Sequence, residues 1–264
     1  MNNLFVQELY IASLLSKLSM FKPQEFYTNI ETDDSLKDLE SMVLNNMIHY
    51  IDEKDVKCFL FKYHNIIYIV VNSDTGSHKS NKQLQVKKKM QIHSCIYDQF
   101  NQIFWKVIEK LEDLIDIKAT KNIYICGYRE GGNVAKVLSA FLADKYKHTF
   151  LISCFTFASK MVGNKYFEKF LNHNVNRSYN IHTYNSVGNN CNRFFHKISN
   201  EFIINDNCIC DIVPPEYFVF KRLFSKFYKN EQKPDPIDSY IEHLRNIIFK
   251  FNTNSQSSVA EDIL

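Results

Sequence analysis

The run from Asn122 to Ala143 leaves few folds open to this chain. A short apolar strand, Asn122–Cys126, meets Gly127, Gly131 and Gly132, half of the six glycines in 264 residues, and Asn133–Lys147 then carries helical periodicity. A strand that passes through glycines straight into a helix is the repeating unit of a parallel sheet, because parallel neighbours need a crossover. The alternation continues through strand Thr149–Ala158, helix Asn164–Asn172, strand Ser178–Tyr184 and strand Phe194–Asn205. Thr149–Ala158 is continuously apolar, as a parallel strand covered on both faces must be. Upstream, Val56–Tyr63 and Ile66–Val71 form a strand pair turning at His64-Asn65, and Gln91–Ile117 is a long amphipathic helix.

The pattern predicts an α/β fold with a mainly parallel central sheet flanked by helices, and extra N-terminal helices at Leu4–Ser19 and at 35–51, the latter capped by Asp33 or Asp34. Asn72–Lys89 and 206–236 read as irregular, and Ile237–Phe251 as a closing helix. Residues 1–251 then make one domain and 252–264 a polar, disordered tail. Hydrophobic residues at 45%, with 22 Phe and 15 Tyr, suffice for a large core.

The net charge of +3 is too small to point to nucleic acid as the partner. The seven cysteines have no metal spacing, and Cys208 and Cys210 form no CxxC pair. An odd cysteine number and the lack of a secretory start suggest free thiols in a reducing, intracellular setting, with membrane or virion association open. No apolar run is long enough to span a bilayer. Heavy use of Asn, Lys, Ile, Phe and Tyr is what an AT-rich genome writes, that of a large DNA virus among them. No cofactor and no metal is expected.

Strand, glycine turn and helix are also the context of the nucleophile elbow, G-x-S-x-G, where a tight turn strains the central residue. Here the order is Gly127-Tyr128-Arg129-Glu130-Gly131-Gly132. The phosphate-loop patterns G-x-G-x-x-G and G-x-x-x-x-G-K do not fit. The segment resembles the class 3 lipase elbow, G-H-S-L-G-G-A-L-A. Gly127, Gly131, Gly132 and Ala135 match, and Arg129 stands in place of Ser. Three further segments resemble the family in the same order. Ile92-His93 resembles the helix start V-H-x-G-F. Thr156–Asn164, followed by Phe167 and Phe170, resembles T-F-G-x-P-R-V-G-N. His196–Phe202 resembles H-x-G-x-E-aromatic.

The resemblance implies an α/β-hydrolase fold and ester hydrolysis by Ser, His, an acid and backbone donors. Carried over position by position, it puts Arg129 at the nucleophile, and a guanidinium stays protonated and cannot attack a carbonyl. The acid position falls on Gly188, with Asp211 in D-I-V-P as a competitor. The histidine position falls on Asp235, with His243 one turn further on. The former oxyanion region falls on Ser73 and Asp74. The expectation is a non-catalytic lipase-like protein that binds a protein or lipid partner; the alternative is an active lipase or esterase with a non-standard site. Arg129 could pair with Asp235 or Glu130, or reach solvent. Lys79, Lys82 and Lys87–Lys89 read as a solvated basic loop or a contact for anionic headgroups, and Phe218–Tyr228 as core aromatics or an amphipathic surface helix. His93 and His196 read as structural.

Overall fold

A computed structural model describes residues 3–73, 82–116, 120–147, 149–160, 162–183, 200–204, 209–211 and 236–261. In chain order the elements are α1 (Asn3–Leu18), α2 (Phe26–Thr32), α3 (Glu40–Val43), β1 (His49–Asp52), β2 (Val56–Tyr63), β3 (Ile66–Ser73), β4 (Gln83–Lys87), β5 (Met90–His93), α4 (Ser94–Leu114), β6 (Asn122–Tyr128), α5 (Arg129–Tyr146), β7 (Leu151–Phe157), α6 (Lys165–Asn174), β8 (Arg177–Thr183), β9 (Asn200–Ile204), β10 (Ile209–Asp211) and α7 (Ile237–Glu261).

Among the described residues one sheet runs β1-β2-β3-β6-β7-β8-β9-β10. β3, β6, β7, β8 and β9 are parallel, and antiparallel strands close both edges. β2 and β3 are joined by His64-Asn65 alone, with His64 at φ 54, the left-handed backbone that a two-residue hairpin turn demands.

Alternating strand residues serve two cores. Leu60, Ile67, Ile69, Val71, Ile123 and Ile125 pack under α4 and α5. Their neighbours Phe59, Phe61, Tyr68, Val70, Tyr124 and Phe155 face the other way, against α1, the segment up to Val43, and α7. Each such apolar side chain contributes about 1.5–3 kcal/mol when withdrawn from water, so the N-terminal segment is a working half of the core. It is also pinned by charge. Arg177 of β8 donates to both carboxylate oxygens of Glu8 on α1, at 2.8 and 3.0 Å, and Tyr124 donates to Glu8 at 2.5 Å. Burial and the Glu8 hydrogen bond push the Tyr124 hydroxyl up to about 12. Lys17 bridges Asp33 and Asp238, tying α1 to the start of α7.

Three expectations are corrected. Residues 35–51 are not one helix: a 3-10 turn at Lys37–Leu39 leads into the short α3, and β1 follows. The apolar spacing is real, since Leu36, Leu39, Met42 and Val43 are buried. The helix ends because the Asn46 amide turns back to donate to the Met42 carbonyl. Asn72–Lys89 is not all loop, because β4 and β5 form a hairpin that turns at Lys89 with φ 65. Its alternation was hidden by the lysines around Leu84 and Val86. The polar segment after Phe251 is helical as far as Glu261 rather than a tail, since polar residues do not by themselves stop a helix.

Glu8→Ala should destabilise the protein by about 1–2 kcal/mol, since it strands two donors that are only partly solvated. Urea unfolding at neutral pH measures this, and Glu8→Gln should fall between. A midpoint equal to that of the parent would show that the clamp adds nothing.

Candidate active site at the strand-helix elbow

β6 passes into α5 with no intervening loop: Tyr128 is the last strand residue and Arg129 the first helical one. Arg129 carries the strain, at φ 49. The glycines answer to close approach of backbones rather than to dihedral freedom, since none has positive φ. A Cβ on Gly131 would lie 2.3 Å from the Val71 carbonyl oxygen at the end of β3, and one on Gly127 would lie 2.7 Å from the Gly131 backbone. They are glycine because three backbones converge there.

Arg129 lies over the Tyr128 ring, with 5.3 Å from guanidinium to centroid. Glu130 pairs with Lys160 at 3.7 Å. The neighbouring strand ends in a second strained residue, Ala158 at φ 51. Behind it lies a buried polar knot. Ser159 donates to Asn180 Oδ1 at 2.8 Å, the Asn180 amide donates to the Ser159 carbonyl at 3.0 Å, and His182 Nε2 lies 2.8 Å from that amide. Asn133 of α5 accepts from the Lys160 amide at 2.7 Å, which fixes the loop after β7 to the elbow helix. Asn164 caps α6 by accepting from Tyr166 and Phe167, and donates to the Lys89 carbonyl, so the V-G-N segment fastens the β4–β5 hairpin.

His93 stands at the N-terminus of α4, half-buried, with Nδ1 3.2 Å from Cys95 Sγ. Burial first, then Lys160, hold the imidazole below its ordinary range; burial first, then Asp98, push the Cys95 thiol up. Cys95 also senses Glu130, so this pair borders the elbow.

Of the other expected site residues, Ser73 ends β3 and donates to the Asp55 carbonyl at 3.3 Å. Asp211 is on β10, beyond β9, and His243 is half-buried on α7. Asp74, Gly188, His196, Asp235, Lys79 and Phe218–Tyr228 lie outside the described residues, and with them the Arg129–Asp235 pair. The basic stretch is not simply solvated: Lys87 pairs with Asp144 at 3.1 Å and sits 4.3 Å above the Phe170 ring. Among the described residues no three His, Cys, Asp or Glu side chains could hold a metal ion, and no single helix is long and apolar enough to cross a membrane. Cys95, Lys160 and Asn180 are members of this neighbourhood that sequence reasoning did not single out. Cys95 was legible in part, two residues past the His93 that the helix-start motif marks.

A parallel sheet of this order, with an elbow residue forced into left-handed backbone, defines the α/β-hydrolase class. Residues 64–187 match the family "Lipase (class 3)". That match spans just under half of the chain, and solved structures of class 3 lipases share its fold. A lipase from Rhizopus microsporus var. chinensis superposes with a TM-score of 0.65 at 14% identity, covering 80% of this chain and 79% of that one. A fungal lipase in complex with an inhibitor gives 0.65 at 13%, covering 94% and 98%. A triacylglycerol lipase described by its serine-protease triad gives 0.60 at 14%, covering 76% and 81%. A search of curated proteins finds no match.

The expectation that the chain is not an enzyme is corrected here. The family match over 64–187 and the fold shared with lipases point to a hydrolase. Of the three positions read as substituted, only Arg129 lies among the described residues, and one altered side chain does not demonstrate that a triad is lost.

Gly131→Ala should cost about 3 kcal/mol or more, because backbone on β3 would have to move. Arg129→Asn should be tolerated within about 0.5 kcal/mol, since Asn accepts left-handed backbone. Arg129→Val should cost about 1–2 kcal/mol. Thermal melts of the three variants test this; equal shifts for Asn and Val at position 129 would remove the case for strain.

Proposed function

We propose that this chain is a carboxylic ester hydrolase of the class 3 lipase type, acting on acylglycerols or related lipid esters through a site built around Arg129 instead of a serine. The observation that carries the reading is the intact elbow. Left-handed backbone at a non-glycine residue costs about 1–2 kcal/mol and persists at sites where the surroundings over-determine it. Here Gly127, Gly131 and Gly132 hold Arg129 there, at the carboxyl edge of β6, where open α/β sheets bind ligands.

Arg129 then has an electrophilic role. Its guanidinium keeps its charge and offers fixed donors, which suit a carbonyl oxygen gaining negative charge. A guanidinium cannot be the nucleophile, so the attacking group comes from elsewhere. Gly188 at the acid position, Asp235 at the histidine position and Ser73-Asp74 in the oxyanion region are the carried-over assignments, and none supplies a nucleophile and base pair of the ordinary kind. Lipid ester would be the partner at the site.

Purified protein should hydrolyse p-nitrophenyl butyrate and an emulsified monoacylglycerol above the buffer rate. Arg129→Ala should lose about 10²-fold or more in kcat/KM, the scale for removing an oxyanion donor, and Arg129→Lys should lose less. Absence of hydrolysis of both substrates would sink the reading. A rate unaffected by Arg129→Ala would sink the role given to Arg129.

A further inference from the structure

We infer that Cys95 is the nucleophile of this site and His93 its general base, a thiol–imidazole pair on the helix start next to the elbow; the inference rests on the hydrolase reading above. Three observations converge. The first is topological. β3 is parallel to β6, so the helices that return from them both start at the carboxyl edge of the sheet. That edge carries His93 and Cys95 at the start of α4 and Arg129 and Glu130 at the start of α5, on helices that pack together.

The second is geometry. Cys95 Sγ lies 3.2 Å from His93 Nδ1, within hydrogen-bond reach for sulfur. His93 itself is held in place by its amide, which donates to the Val162 carbonyl at 3.0 Å. Both side chains are half-buried, with one face towards solvent, unlike Cys58, Cys126 and Cys154, which are buried. The charged groups around the pair are Asp98 on α4, Glu130 on α5 and Lys160 after β7, the last two paired with each other at 3.7 Å.

The third is the sequence. The helix-start motif V-H-x-G-F has glycine where Ile92-His93-Ser94-Cys95-Ile96 has cysteine, and the elbow motif has serine where this chain has Arg129. One nucleophile is missing at the elbow and one nucleophilic side chain is added at the start of the neighbouring helix.

The resting pair is neutral. Burial and Asp98 keep Cys95 as thiol, and burial and Lys160 keep His93 as neutral imidazole; the proposed step uses the tautomer protonated at Nε2, in which the thiol donates to Nδ1. That is the arrangement of an alcohol–imidazole pair rather than of a thiolate–imidazolium pair. Sulfur attacks the ester carbonyl carbon while its proton passes to Nδ1, and the carbonyl electron pair moves onto oxygen. Collapse breaks the carbon–alkoxy bond; the leaving alkoxide takes the proton from His93, and a thioester remains on Cys95. Water then gives its proton to His93 and its hydroxyl to the carbonyl carbon. The carbon–sulfur bond breaks, the acid leaves and Cys95 recovers its proton. The sum is ester plus water to acid plus alcohol. Because the His93 pKa is lowered, its base form persists, and the rate should hold to below the usual imidazole range of about 6.5.

The experiment uses the full chain, p-nitrophenyl butyrate, acid quenching and peptide mapping of hydroxylamine-sensitive adducts. Cys95→Ala, Cys95→Ser and His93→Gln are compared, with circular dichroism melts to confirm folding. The expected result is a butyryl thioester on the Cys95 peptide and a fall of about 10²-fold or more in kcat for Cys95→Ala and His93→Gln. Hydrolysis by the parent that is unchanged in folded Cys95→Ala, with no adduct at Cys95, would overturn the inference and leave the hydrolase reading standing. An adduct at Cys95 without turnover would support the nucleophile and overturn the hydrolase reading. Neither hydrolysis nor adduct overturns both. If Cys95→Ala does not fold, the adduct map of the parent decides alone.

Discussion

The structure turns on the approach of three backbones at the end of β6. Gly131 packs against the Val71 carbonyl of β3, Gly127 against Gly131, and Gly132 against the Gly127 carbonyl. No side chain fits in that space, so α5 leaves the sheet at once and lies flat over β3, β6 and β7. Much else is arranged by this. The buried face of α5, from Val134 to Leu142, fills the core under α4, and Asn133 holds the loop after β7. Strain that cannot be taken by the glycines is left on Arg129, the one residue of the turn with left-handed backbone. Conformational freedom and small size, often given as one reason for glycine, are separated here onto different residues.

How far the sequence could be read follows from the range of each interaction. β2, β3, β6, β7 and α5 were legible because their apolar period is local and strong. The elbow was legible as glycines that let strand and helix backbones approach, but its third member was not: the clash at Gly131 is with a residue 60 positions earlier, on another strand. The hairpin β4–β5 was missed because its apolar residues are few and its lysines many. What holds it is remote, through Asn164 donating to the Lys89 carbonyl and the bridge between Ile92 and Gly163. At the site, His93 was legible as a motif residue and Cys95 only through its place two residues further on, since a cysteine at a helix start signals little until its partner is seen.

The two cores explain why the first 43 residues fold onto the rest. A parallel sheet cannot leave one face in water, and here α4, α5 and α6 lie on one face only. The opposite face is unusually aromatic: Phe59, Phe61, Tyr68, Tyr124 and Phe155 form a continuous series of ring contacts. α1 and α7 cover it, and the Glu8–Arg177 contact sets the register of α1 on β8 because a bidentate pair has one geometry. The chain's two ends thus meet on the side of the sheet away from α5, leaving the carboxyl edge with the elbow between them.

The charge at that edge bears on the proposed chemistry. A helix N-terminus carries partial positive charge, so a cation in the first turn is disfavoured by about 0.3–1 kcal/mol, on top of the backbone strain at the same residue. Serine at the elbow would avoid the first of these costs. Arginine there is consistent only with a role that returns more than it loses, and a developing oxyanion is the partner that turns helix dipole and guanidinium from opponents into allies. On this reading the two halves of the site have exchanged places. The elbow, which in serine hydrolases attacks, here receives the negative charge, and the attack comes from the start of α4. Glu130 and Lys160 pair with one another at the same edge. A neutral thiol suits this division of labour: losing its proton only on attack, it delivers its charge to the substrate oxygen, where a guanidinium can stabilise it.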